Sequence, residues 1–234
     1  MYKHSKNKNL IIIEDDTFKG LPLTRPRGKY YYPFIKQYLE SNKQVMDDAL
    51  SIHPRTLAVR VDLRFPTNYH DPDYPRYNNK SEITRFIESF KSKVNNHITK
   101  RRREGKRAHS CDISYIWVLE YGESSSEHYH VALFLNSNSF RNPGRKTTAH
   151  KSSPLINIIV EAWESALNVS FQKAWNLVNI PPNASYCLNK TDWPAEDTTY
   201  RNLYERLSYF AKEVTKVYGK GERNSYGCSH RRIR

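Results

Sequence analysis

The chain has 234 residues, enough for one good-sized domain with an extension and a core of its own. Its 38 Lys and Arg against 24 Asp and Glu leave a formal charge of +14 distributed along the whole length, which favours a polyanionic partner, nucleic acid first among them. The longest apolar run, Leu10 to Ile13, is far too short to cross a bilayer. Cys111, Cys187 and Cys228 form no C-x-x-C pair, so the composition predicts a reduced, cytoplasmic protein without a membrane partner, zinc ribbon or disulfide framework.

Met1 to Asn9 and Thr17 to Tyr32 show no period and read as arms or loops. Pro33 opens a helix reaching about His53, with Ile35, Tyr38, Leu39, Met46, Ala49 and Leu50 at near-helical intervals, so residues 1–54 are expected to form a basic arm and helical extension. From Arg55 to Phe65 the period changes. Leu57, Val59, Val61, Leu63 and Phe65 alternate with Ala58, Arg60, Asp62 and Arg64, which predicts a strand with one face on a core and the other carrying charge.

Ser81 can cap a helix whose Ile83, Phe86, Ile87, Phe90, Val94 and Ile98 form one stripe and which ends in Lys100, Arg101, Arg102 and Arg103. That cluster suits phosphates, and it equally suits the negative end of a helix dipole. Tyr115 to Tyr121 and His128 to Leu135 are β-rich runs around a Gly/Ser/Glu turn, an antiparallel hairpin. A helix over Pro154 to Val169, short strands over Trp175 to Ile180 and Ser185 to Leu188, and a last helix over Thr198 to Tyr218 follow, with a basic tail from Gly219 to Arg234. No internal repeat is visible. The element order predicts an α+β fold, a mostly antiparallel central sheet covered by helices, with residues 55–218 as the catalytic-size domain and 219–234 as the tail.

On a strand His128 and His130 project to the same face, so one strand supplies two imidazoles above the sheet. If the hairpin register sets Glu120 opposite either of them, its carboxylate completes a three-residue site that suits Mn²⁺, Zn²⁺ or another transition ion and holds Mg²⁺ when substrate oxygens fill the remaining positions. On the last helix Tyr200, Leu203, Tyr204, Leu207, Phe210, Ala211, Val214 and Tyr218 share one apolar arc. Tyr209 lies opposite it, spare from packing, with Lys212 one turn further on the same side. An exposed Tyr on a charged helix face gives the same pattern. The 17 Tyr and 4 Trp offer faces on which unpaired bases can stack, and the phosphate contacts expected are Arg60, Arg64, Arg101, Arg102, Arg103 and Lys216. Asp62 and Arg64, on the charged face of the first strand, are placed to touch the metal shell or the DNA, with salt bridging the commoner role for each.

The strand His128-Tyr129-His130-Val131-Ala132-Leu133-Phe134 resembles the His-hydrophobic-His motif of the HUH endonuclease superfamily, and Tyr209-Phe210-Ala211-Lys212 resembles its downstream Y-x-x-K motif. The motif order is that of rolling-circle replication initiators. Relaxases share the chemistry but usually place their tyrosine before the histidines. Val61-Asp62-Leu63-Arg64 and Asn224-Ser225-Tyr226-Gly227-Cys228-Ser229 are similar to YagK/YfjJ-like proteins grouped with inovirus replication endonucleases. The resemblance covers about residues 57–234. It implies an HUH-like (RRM- or palm-like) sandwich and a single-stranded DNA nickase and strand transferase that starts rolling-circle replication through a 5′-phosphotyrosine. It further implies a metal on Glu120, His128 and His130, Tyr209 as nucleophile and Lys212 in support. Single-stranded and origin DNA would be its partners, with host helicase and polymerase, since no Walker A motif is present. The competing class is a non-catalytic DNA- or RNA-binding regulator that keeps the same fold.

Overall fold

The computed structural model describes residues 1–5, 7–25, 32–67, 69, 81–121, 127–147, 152–192, 198–214 and 224–230. Lys216, most of the loop after Phe65, the turn at 122–126 and both ends of the expected tail lie outside the described residues.

The central sheet is built from β6 (Arg55–Arg64), β7 (Ser114–Tyr121), β8 (Glu127–Asn136), β9 (Val178–Asn179), β10 (Ser185–Asn189) and β11 (Tyr226–Cys228). Its order is β10-β6-β8-β7-β11, with β9 beside the end of β6, and every pairing among the described residues is antiparallel. Alternation divides its side chains between two cores. On one face Leu57, Val59, Val61, Leu63, Leu119, Tyr129, Val131, Leu133 and Leu135 meet α2 (Glu82–Arg103), α3 (Pro154–Leu167) and α4 (Phe171–Leu177). On the other, Ala58, Ile116, Val118, Ala132, Phe134 and Leu188 meet α1 (Lys36–Ile52) and α5 (Thr198–Ser208). The fold is therefore α+β, an antiparallel sheet between two helical layers, as expected.

The helix starts follow their caps. Ser81, Ser153 and Ser170 each accept a backbone N–H from three residues on, which satisfies donors that the first turn leaves open. Ser170 explains one difference from the sequence reading. Trp175 to Leu177, expected in a strand, belongs to the capped helix α4, and only Val178–Asn179 is extended.

The N-terminal segment is also more ordered than a set of loops. β1 (Tyr2–Lys3), β2 (Ile11–Ile13) and β5 (Phe34–Ile35) form a small sheet, and β3 (Thr17–Phe18) pairs with β4 (Leu21–Pro22) across Lys19 and Gly20. Both turn residues have positive φ, 50° and 76°, the primed turn that matches strand twist. Leu39, Val45, Met46, Ala49 and Leu50 of α1 are buried in the same core as the sheet and α5. At the other end, residues 226–228, expected in a tail, instead form the edge strand β11. Tyr226 stacks on Tyr38 at 4.1 Å between centroids and donates to Asn42 Oδ1 at 2.9 Å.

Candidate metal centre and its tyrosine

The hairpin register sets Glu120 directly opposite His128 and Val118 opposite His130, so all three polar side chains share the face that carries α1 and α5. Their ligand atoms lie within 4.8 Å of one another, with Glu120 and His130 buried and His128 half-buried. His128 Nε2 is 3.1 Å from His130 Nε2, which is 3.4 Å from Glu120 Oε2. Two donors bound at ~2.1 Å to one ion sit about 3.0–3.4 Å apart, so the spacing fits a divalent cation of the kind that takes two imidazoles and a carboxylate.

The next strand supports this arrangement. Asp62, paired with His130 across β6 and β8, places Oδ1 2.6 Å from His130 Nδ1. Burial pushes the Asp62 carboxyl up, but the hydrogen bond from His130 and the charge of Arg60 pull it further down, and its net position is below the ordinary value. An ionised carboxylate only accepts, so Nδ1 carries the proton and Nε2 presents its lone pair to the cluster. Asn179 Nδ2 steadies the other Asp62 oxygen at 3.3 Å. Of the two roles that the sequence allows Asp62, salt bridging and contact with the metal shell, the second dominates. Asp62 does lie 3.6 Å from Arg60 Nε, yet its shortest contact orients a histidine.

The last helix departs from its expected course. The α-helix ends at Ser208, and Tyr209–Ala211 form a 3-10 turn, after which Lys212 pairs its backbone with Phe34 and Glu213 N donates to the Pro33 carbonyl at 2.9 Å. Residues three apart eclipse in such a turn. Lys212 Nζ accordingly lies 3.3 Å from the centre of the Tyr209 ring, and it is 4.0 Å from Glu120 Oε2. Tyr209 is thus half-buried and packed, not spare on an exposed helix face. Its ring centroid is 5.8 Å from that of His130, with Tyr32 edge-on at 6.5 Å and the Arg60 guanidinium 5.5 Å above it. Burial first, then the Glu120 charge, raises its phenol to about 12, against the opposing pull of Arg60. Tyr204 is fully buried, with its hydroxyl donating to the Leu39 carbonyl at 3.2 Å.

Glu120, His128, His130, Tyr209, Lys212 and Arg60 therefore meet at one end of the sheet, and Arg64 stands opposite His128 at its rim. Arg101, Arg102 and Arg103 do not join them. They end α2, where Arg102 Nε donates to the Ala108 carbonyl at 3.3 Å in the segment that leads into β7. Tyr32 and Asn179 were not anticipated. Neither carries a sequence signal, because a loop residue and a two-residue strand reach the site only through tertiary pairing.

Fold and site together define an α+β sandwich with a two-histidine, one-carboxylate cluster facing a tyrosine. Residues 14–229 match the family described as the YagK/YfjJ C-terminal domain, and the chain belongs to that family. It is 33% identical over 200 residues to the uncharacterized protein YfjJ of Escherichia coli K12, covering 83% of this chain and 94% of the relative. It is 36% identical over 201 residues to the uncharacterized protein YagK of the same organism, covering 83% and 93%. No solved structure matches the chain. No helix among the described residues is long and apolar enough to cross a membrane.

Proposed function

We propose that the protein is a metal-dependent single-stranded DNA endonuclease and strand transferase of the HUH type, initiating rolling-circle replication. The observation that carries this reading is the placement of the Tyr209 ring 5.8 Å from His130, with the Lys212 ammonium lying over the ring and within 4.0 Å of Glu120. A phenol, a cation and a cluster able to hold a divalent ion then face one volume, the set required for attack on a phosphodiester.

In this reading Glu120, His128 and His130 hold the ion, Mg²⁺ or Mn²⁺ before Zn²⁺, which when bound polarises a phosphate oxygen. Tyr209 Oη forms the bond to phosphorus and gives up its proton. The bond from phosphorus to O3′ breaks, the 3′ oxygen takes up a proton, and a 5′-phosphotyrosine and free 3′-hydroxyl result. Lys212 and Arg60 flank the ring and put positive charge where negative charge develops. The overall +14 supports single-stranded DNA as substrate, with Arg64 at the rim of the site, and a host helicase and polymerase would use the 3′ end.

The test is attachment of a 3′-labelled single-stranded DNA pool to the protein in Mn²⁺, followed by mass spectrometry of the labelled peptide. The expected adduct is on Tyr209, absent in Tyr209→Phe and abolished by His130→Ala. An adduct that persists in Tyr209→Phe would move the nucleophile elsewhere, and no adduct in any divalent ion would leave the non-catalytic DNA- or RNA-binding reading.

A further inference from the structure

We infer that the cavity between α5 and β10 is a base-reading subsite for an unstacked nucleotide bearing an exocyclic amino group, guanine foremost and thymine disfavoured, on the strand that crosses the metal cluster. The inference rests on the reading of the site as one for single-stranded DNA.

The cavity has a volume of about 460 Å³, within the ~300–1,000 Å³ typical of small-molecule sites, and is lined by Thr24, Asn183, Tyr186, Asn202, Glu205 and Arg206. Its position is fixed by the sheet. Arg60 N donates to the Ala184 carbonyl at 2.7 Å, and Tyr186 pairs with Ala58, one pleat from Arg60 on the same face. Arg206 donates from Nη2 to the Pro182 carbonyl at 2.8 Å and is close enough to Arg60 for their charges to oppose each other. Arg60 in turn faces the Tyr209 ring at 5.5 Å. A line of positive charge therefore leads from the tyrosine through Arg60 and Arg206 to the cavity.

The lining has the chemistry of base recognition. Tyr186 is half-buried and rooted in the sheet, a fixed ring on which a base can stack. Among the described residues the side chains of Asn183, Asn202 and Glu205 make no hydrogen bond or ion pair, and the buried Arg206 Nε has no partner. Unstacked bases are read on their hydrogen-bonding edges. The Glu205 carboxylate, an acceptor only, repels a phosphate and selects N–H donors. Guanine offers two neighbouring donors, cytosine and adenine an amino group, while thymine offers only N3–H, flanked on both sides by carbonyl oxygens that the carboxylate repels. The amides of Asn183 and Asn202 can donate to the remaining base acceptors.

The test is selection of a random 12-nucleotide single-stranded DNA pool on the full chain in EDTA, where cleavage needs no consideration. The expected result is one position at which thymine is disfavoured about tenfold, flattened in Glu205→Gln and in Asn202→Ala. Neither side chain makes a hydrogen bond or ion pair among the described residues, so both variants should keep the fold, read as an unchanged thermal melt. A pool recovered without positional preference, or the same preference in both variants, would overturn the subsite. The covalent adduct in Mn²⁺ is read separately on the same proteins. Its absence would refute the nickase and leave the base preference standing, whereas loss of the preference alone would refute the subsite.

Discussion

Removing the Asp62 carboxylate should weaken metal binding without removing a ligand. Asp62 Oδ1 accepts the His130 Nδ1 proton at 2.6 Å, which holds the ring with Nε2 toward Glu120 and His128. Outer partners of metal-bound histidines contribute about 10–100-fold in affinity, or about 1.4–2.7 kcal/mol. Asp62→Ala loses both orientation and charge, and belongs at the upper end. Asp62→Asn can still accept through its amide oxygen, and belongs near tenfold. The folded carboxyl sits below its ordinary value of 3.8, so its stabilising contribution is fully present above that value and is lost only as pH falls through the lower folded one. At pH 7 the comparison is therefore made with Asp62 ionised. Calorimetric titration of Mn²⁺ into the three proteins without DNA measures the effect. Equal affinity in wild type and Asp62→Ala would refute the reasoning that His130 is a ligand positioned through Nδ1.

Tyr204→Phe should leave adduct formation on Tyr209 intact while lowering the melting temperature by about 2–4 °C, since it removes one buried hydrogen bond of about 1 kcal/mol to Leu39; loss of the adduct in the folded variant would contradict this. Gly227→Ala should destabilise by about 1–3 kcal/mol, because a Cβ there would lie 2.5 Å from Trp117 Cζ2, and denaturant unfolding followed by tryptophan fluorescence measures it. Iodoacetamide at pH 8 should modify exposed Cys187 well before Cys111, whose thiol burial raises to about 11, leaving roughly one part in a thousand as thiolate. Peptide mass spectrometry gives the order, and equal rates would count against the burial of Cys111.

The parts of the site that lie on long strands were legible because strand geometry is nearly deterministic. Once His128 and His130 fall on an alternating run, they share a face. The single assumption needed was the register that brings Glu120 opposite His128. The end of the last helix was not legible. Tyr209 to Tyr218 continues the apolar period of α5, and nothing local stops it. What stops it is distant: Phe34 pairs with Lys212, Pro33 accepts from Glu213, and Ser208 both donates to the Glu205 carbonyl and accepts from Thr24 N. Those contacts tighten the turn and swing Tyr209 onto His130. In contrast, the misassigned Trp175 had a local signal, since Ser170 stands at N-cap spacing from Lys173. β11 was missed because a three-residue edge strand containing glycine has too short a pattern to register.

The sheet builds a charged centre on one face without disturbing the other. At the level of Val61, Leu63, Leu119 and Tyr129 the α2/α3 side is continuous apolar core, while the residues between them are Asp62, Glu120, His128 and His130. Burying charge is costly unless it is balanced. Here Arg60 and Lys212 contribute +2 and Asp62 and Glu120 contribute −2, so with neutral histidines the centre is neutral. A divalent cation on Glu120, His128 and His130 would leave it with an excess of +2 in a largely dry setting. A phosphodiester carries the charge that offsets part of that excess, and a strand lying across the site would therefore strengthen metal binding as the metal strengthens its own. That reciprocity requires no movement of the fold and follows from the charges of Arg60, Lys212, Asp62 and Glu120 in and around the cluster.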